Sequence, residues 1–298
     1  MTTPIEQAGA GPAKALILQV QDLVVTFTGR RGSSTTVIHG VSFDLAAGET
    51  LSLVGESGSG KTTIGRAILG LAPVTAGTIS FRDQAISNVP RRERRKLAKD
   101  IQVVFQDPYS SLNPSMTVES ILVEPLAAAG VTEGRARVRE LLDAVGLPDN
   151  AGSRYPREFS GGQRQRIAIA RALALQPSVI VCDEPTSALD VTTQATVLKL
   201  FKELQEATGV AYLFISHDLG VVNEISDRIA VLYRGEIVEI GEAHQVATAP
   251  RHAYTRRLQT AAPVADPAKQ RIRRNQRLAL AVSTASASAG DGQPITTS

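Results

Sequence analysis

Only one cysteine, Cys182, occurs among the 298 residues, which excludes an intrachain disulfide and fits a reducing compartment. No stretch reaches the roughly 18 uninterrupted apolar residues that a bilayer-spanning helix needs. Residues 1–14, rich in Gly, Ala, Thr and Pro, lack the charged-then-apolar order of a secretory signal. The expectation is a cytosolic protein that meets a membrane only through partners. Charge of one sign is also scarce: the formal net charge is +3, too little for a dedicated nucleic-acid binder with a concentrated basic face. The run Arg91-Arg92-Glu93-Arg94-Arg95-Lys96 has no interleaved aromatics and reads as a charged surface helix.

The chain is 43% hydrophobic and 20% charged, a globular composition. Residues 16–27 alternate apolar and polar side chains as a half-buried strand does, and a second strand is expected over 37–45. Short apolar runs at 50–54, 101–105, 179–182 and 210–215 suit central parallel strands. Helical spacing marks 62–71, 162–175 and 192–208, and a hairpin turns on Arg234-Gly235. Strands alternating with helices predict an α/β fold, a mostly parallel sheet with helices on both faces. Residues 107–165, helical in pattern and broken by five prolines, read as an inserted helical domain. The core then comprises 15–106 and 166–245, with a flexible lead-in at 1–14, an extension at 246–278 and a disordered Ala/Ser/Thr/Gly-rich tail at 279–298.

Between a predicted strand and a predicted helix lies Gly55-Glu56-Ser57-Gly58-Ser59-Gly60-Lys61-Thr62-Thr63, which fits the P-loop pattern G-x-x-x-x-G-K-[ST] in the context that gives it meaning. Gly58 and Gly60 allow the backbone to curl so that successive N–H groups point inward at phosphate oxygens. The following helix adds its positive end, Lys61 a charge for the β- and γ-phosphates, and Thr62 a hydroxyl for Mg²⁺. The run 179–182 ends in Asp183-Glu184. Its strand places Asp183 beside the P-loop, where it can hold Mg²⁺, and lets Glu184 face a water in line with the γ-phosphate as general base.

Phe159-Ser160-Gly161-Gly162-Gln163 resembles the signature of the ATP-binding cassette (ABC) family, with Phe in place of the usual first Leu. Asp183-Glu184-Pro185-Thr186-Ser187-Ala188-Leu189-Asp190 resembles the family's extended Walker B and D-loop; His217 matches its switch histidine and Gln106 its Q-loop glutamine. The ordered motifs span about residues 16–241. The resemblance implies a P-loop NTPase (RecA-like) core with an antiparallel β subdomain and an inserted α-helical subdomain. It also implies ATP sandwiched between the P-loop of one subunit and Ser160, Gly161, Gly162 and Gln163 of another. Such a signature makes physical sense as a second anion site, since glycines and a serine open a helix. By the same resemblance His217 holds the γ-phosphate and orients Glu184, Gln106 touches Mg²⁺ or the attacking water, and Asp190 belongs to the D-loop. Phe27 is either the aromatic that stacks on adenine or a core strand residue.

Residues 105–114, Gly55-Glu56-Ser57, 155–160 and 251–258 resemble the ATPases of peptide importers, with Ala253 where their C-terminal motif has Pro. The resemblance implies uptake of di- or oligopeptides, with nickel, glutathione or another small solute as alternatives. Its partners would be two membrane permease subunits, a second and different ABC ATPase, and indirectly an extracytoplasmic solute-binding protein, all at the cytoplasmic face of a bacterial plasma membrane. The permease would dock near residues 106–125. Some relatives carry a C-terminal cysteine cluster for an iron–sulfur centre; with Cys182 alone, none is expected here. The basic run Arg271, Arg273, Arg274 and Arg277 reads as a solvated helix face or a contact for anionic headgroups. A soluble ABC ATPase acting on DNA or ribosomes is the rival. Those carry long coiled coils or a second cassette, neither of which appears in this sequence.

Overall fold

The structure is a computed structural model that describes residues 15–29, 32–131 and 134–261. The expected lead-in at 1–14, the tail at 279–298 and the basic run from Arg271 to Arg277 lie outside the described residues.

The chain first lays down β1 (Leu16–Thr28), β2 (Ser34–Ala46) and β3 (Thr50–Val54), then α1 (Lys61–Ile68), β4 (Ala76–Phe81), β5 (Gln84–Ala85), α2 (Arg91–Leu97) and β6 (Ile101–Val104). Helices follow: α3 (Pro108–Ser111), α4 (Val118–Ala128), α5 (Gly134–Ala144) and α6 (Gly161–Leu173). The alternation then resumes with β7 (Val179–Asp183), α7 (Val191–Thr208), β8 (Ala211–Ser216), α8 (Leu219–Ile225), β9 (Arg228–Tyr233) and β10 (Glu236–Glu242), ending in α9 (Ala243–Thr248) and α10 (Ala253–Ala261).

Two sheets result. An antiparallel one has the order β2-β1-β4-β5, and the central one runs β10-β9-β3-β8-β7-β6 with only β10 antiparallel to its neighbour. Both faces of the central sheet are buried, which is why its strands read as unbroken apolar runs. The two-residue side-chain period divides β8 between two cores. Tyr212 and Phe214 face the helical side, edge-on to Phe201 of α7 at 5.3 and 5.8 Å. Leu213 and Ile215 face α1 and the antiparallel sheet. The predicted strands, helices and hairpin are present. α6 runs unbroken through the expected 165/166 boundary.

β4 and β5 are a finding that the sequence did not signal. Only Ile79 and Phe81 of β4 are buried, too few for a clear alternation. Its second residue, Gly77, has φ +81°, and a Cβ there would fall against the carbonyl oxygens of Gln21 and Asp22 in β1. Gly77→Ala is therefore expected to cost about 2–3 kcal/mol from forced backbone strain. It should lower the Tm by several degrees in calorimetry; an unchanged Tm would contradict this account of the strand junction.

Candidate functional site

Parallel pairing sets the chemistry at one edge of the sheet. β3, β8, β7 and β6 lie side by side, with Val54 opposite Ser216 and Asp183 opposite Ile215. Their carboxyl ends therefore deliver, in order, the loop 55–60, His217, Asp183-Glu184 and Gln106 to one crevice, the usual ligand position of an open α/β sheet.

The loop is built to receive an anion. Gly60, at φ +110°, takes the N-cap position of α1 and offers no capping side chain. α3, α4, α6, α7 and α8 are each capped by a side-chain oxygen, whereas α2 and α9, like α1, have no side-chain cap. An uncapped helix start leaves N–H donors and the positive end of the dipole turned to the loop. Glu56, Ser57 and Gly58 are exposed, Ser59 and Gly60 buried, and Thr63 half-buried. Lys61 is only 4% exposed, and its ammonium donates to the carbonyls of Gly55 at 2.7 Å and Glu56 at 2.9 Å. Burial pushes it below the usual lysine range despite the pull of Glu184, Asp183 and Glu56. A buried ammonium held by carbonyls alone gains a true counter-ion when a phosphate enters.

Beside it the Thr62 hydroxyl donates to Asp183 Oδ1 at 2.9 Å. Burial raises the Asp183 carboxyl above its ordinary value, the Thr62 hydroxyl bond opposing it and Glu184 adding to it. A hard divalent cation would relieve that imbalance, and a hydroxyl with one carboxylate is a donor set suited to Mg²⁺ completed by phosphate oxygens and water. Among the described residues, no group of three or more His, Cys, Asp or Glu stands ready to hold a metal by itself.

Glu184 follows at φ +46°, an uncommon conformation for a non-glycine residue, fixed by its N–H donating to Ile215 O at 3.0 Å. Its Oε2 accepts from Gln106 Nε2 at 3.2 Å and lies 3.2 Å from His217 Nδ1. Two side chains from two other strand ends thus converge on one carboxylate oxygen of Glu184. Gln106 also donates to Ser187 Oγ at 3.3 Å.

Ser160 caps α6 in a reciprocal box: its Oγ accepts from Gln163 N–H at 3.3 Å, and its N–H donates to Gln163 Oε1 at 3.0 Å. Gly162 packs where a Cβ would strike Thr193, whose N–H and hydroxyl are held by Asp190, the N-cap of α7. The Asp190 carboxyl is kept low by that hydroxyl bond and the backbone N–H beside it. Among the described residues, no hydrogen bond joins this signature to the P-loop. Phe159 is buried under the Arg154 guanidinium, 4.4 Å from the ring centre, so the first signature position is a packing site. Phe27 pairs with Thr35 across β1 and β2 and is 43% exposed, so it is not a core residue.

Ser187 and Tyr254 carry contacts to the site that the sequence reading assigned to neither. Ser187 lies inside the recognised run from Asp183 to Asp190, but a serine between Thr186 and Ala188 gives no sign of which loop it will meet. Tyr254 is an aromatic in the C-terminal motif, and its hydroxyl accepts from Glu56 N–H at 3.0 Å.

A family model described as "ABC transporter" matches residues 38–187. The glutathione import ATP-binding protein GsiA of Salmonella paratyphi A is 51% identical over 267 residues, which cover 87% of this chain and 43% of the relative. GsiA of Escherichia coli K12 is 50% identical over 280 residues, 91% of this chain and 45% of the relative. The chain thus spans less than half the length of the curated relatives it matches. Among solved structures, cbiO1 from Clostridium perfringens, part of the ABC transporter complex cbiONQ, superposes with a TM-score of 0.69 at 27% identity, covering 78% of this chain and 91% of that one. The ATP-binding cassette MJ0796, as a dimer in a post-hydrolysis state with ADP and Pi, gives 0.66 at 28% identity over 76% of this chain and 99% of that one. With the P-loop, the Asp183-Glu184 strand end and the capped signature helix in place on this fold, the chain belongs to the ABC transporter family of ATP-binding cassettes.

Proposed function

We propose that this chain binds and hydrolyses ATP as one cassette of a bacterial ABC importer for small peptides. The observation that carries the reading is the convergence at one sheet edge: an uncapped α1 beside a buried Lys61 whose ammonium donates to two backbone carbonyls, next to Glu184 held by both Gln106 and His217. In this reading the N–H groups of the P-loop and Lys61 hold the phosphates. Glu184 takes a proton from the attacking water, His217 orients it, and Gln106 and Ser187 fix the water's side of the site. Thr62 and Asp183, with Gln106 near, would hold Mg²⁺, and the bound ion would supply positive charge for the phosphate oxygens. Ser160, Gly161, Gly162, Gln163 and Asp190 serve the nucleotide of a second cassette, and Phe27 stacks on adenine. Ser160 and Asp190 already stand as rigid helix caps, which supports their use as a preformed docking edge.

The cargo reading is supported by the name of the relatives, which import glutathione, itself a short peptide, and by the resemblance of residues 105–114 and 251–258 to peptide-importer ATPases. Ala253 in place of Pro does not weaken it. α10 starts at Ala253, a first helical position where the N–H that Pro lacks is not used. Two permease subunits, a different partner ATPase and an extracytoplasmic binding protein complete the assembly at the cytoplasmic face of the membrane. No helix among the described residues is long and apolar enough to cross a membrane. Phosphate release by the purified chain with Mg-ATP tests the reading: turnover that needs Mg²⁺ supports it, and ATP binding without turnover would leave only a nucleotide-binding module.

A further inference from the structure

The peptide link between Gly55 and Glu56 is held from both sides. Its carbonyl oxygen accepts from the Lys61 ammonium at 2.7 Å, and its N–H donates to the Tyr254 hydroxyl at 3.0 Å. In a trans peptide these groups point in opposite directions, so the two partners approach from opposite sides and leave the plane little freedom to rotate. Tyr254 comes from α10, 198 positions along the chain from Glu56.

The segment that presents Tyr254 is itself clamped. The Glu239 carboxylate of β10 accepts the N–H groups of Arg251 at 2.9 Å and His252 at 3.0 Å, and His252 Nδ1 accepts from Tyr254 N–H at 3.2 Å. Tyr254 is 2% exposed, its ring 4.2 Å from that of Tyr233 at the end of β9, and Leu258 is buried on the same helix. A second brace reaches the loop from the β9–β10 turn, where Gly235 N–H donates to Ser59 O at 2.9 Å. The exposed Ser57 and Gly58 thus sit between two fixed points, Glu56 and Ser59.

We propose that Tyr254 is a positioning residue of the nucleotide site: its hydroxyl fixes the Gly55–Glu56 peptide, and with it the resting place of Lys61 and the phosphate-ready shape of the loop. The proposal rests on the nucleotide reading above. A buried phenol at this point is more than packing. The ring alone would fill the space, whereas the oxygen satisfies an N–H that the strand ladder no longer reaches. The link also runs both ways: what orders the loop orders α10. Its effect falls on binding, because Glu184, His217 and Gln106 hang from other strand ends.

The test is Tyr254→Phe in the full chain, which keeps the ring and its stack on Tyr233 and removes only the oxygen. ATP binding by calorimetry and steady-state hydrolysis are measured with Mg-ATP, and amide exchange is followed at Glu56. The expected result is a Kd and a KM raised about three- to tenfold, the share of one backbone hydrogen bond, with kcat within about twofold and faster exchange at Glu56. Parental Kd, KM and Glu56 exchange would overturn the proposal. So would a fall in kcat at constant KM, which would move the residue's effect into hydrolysis. Should the variant not fold, the unmodified chain still decides: ATP must slow exchange in Ala253–Ala261 as well as in the loop, and no change in α10 would sink the coupling. An unmodified chain that binds no ATP would overturn the nucleotide reading instead.

Discussion

Glu184→Gln is expected to cut phosphate release by about 10²- to 10³-fold while leaving ATP affinity within about twofold of the parent chain, the usual scale for loss of a positioned base. The amide keeps the shape of the carboxylate and can still meet Gln106 and His217, whose contacts at 3.2 Å frame it. What it loses is the basicity to draw a proton from water. The unusual backbone at Glu184, φ +46° and tied to Ile215 O, is untouched, so the loop that presents the residue should stay in place. Phosphate release in single turnover, with ATP affinity measured separately, checks this. Comparable losses in binding and hydrolysis would assign Glu184 a structural part and remove the general base from the account.

Lys61→Ala should act on the opposite step. The ammonium is buried and meets only two carbonyls, so a bound phosphate would be its sole anionic partner in direct contact. Truncating one member of a buried charge pair typically costs about 2–5 kcal/mol, which here means ATP affinity lowered by roughly 30- to 4,000-fold. Stability should not fall in step, because removing an ammonium that burial already disfavours relieves a desolvation penalty. Calorimetric titration of ATP together with a thermal melt separates the two. Lost affinity at a held or raised Tm is the expected pair, and retained affinity would mean that the loop's N–H groups hold the phosphates alone.

Much of this was legible because the central strands are buried on both faces. Thr50–Val54, Val179–Asp183 and Ala211–Ser216 show as apolar runs, and each ends in the residues that the crevice uses. The spacing of the P-loop glycines likewise announces a turn that only glycine-rich backbone makes. β4 was not legible, since this half-exposed strand, lying between β1 and the two-residue β5, buries too little to impose a pattern. Ser187 and Tyr254 escaped for a different reason. Their parts arise from contacts across 81 and 198 positions of chain, and no local periodicity encodes which distant loop a hydroxyl will touch. Phe159 and Ala253, departures from the resembled motifs, prove to sit at a core packing position and at a helix start.

Importer function is the central claim, and purification of the Glu184→Gln chain from its native membranes with Mg-ATP tests it most directly, with mass spectrometry to identify what accompanies it. The account predicts two multi-span permeases and a second, different ATPase. Ribosomal proteins or a DNA-repair complex, with no permease, would contradict it.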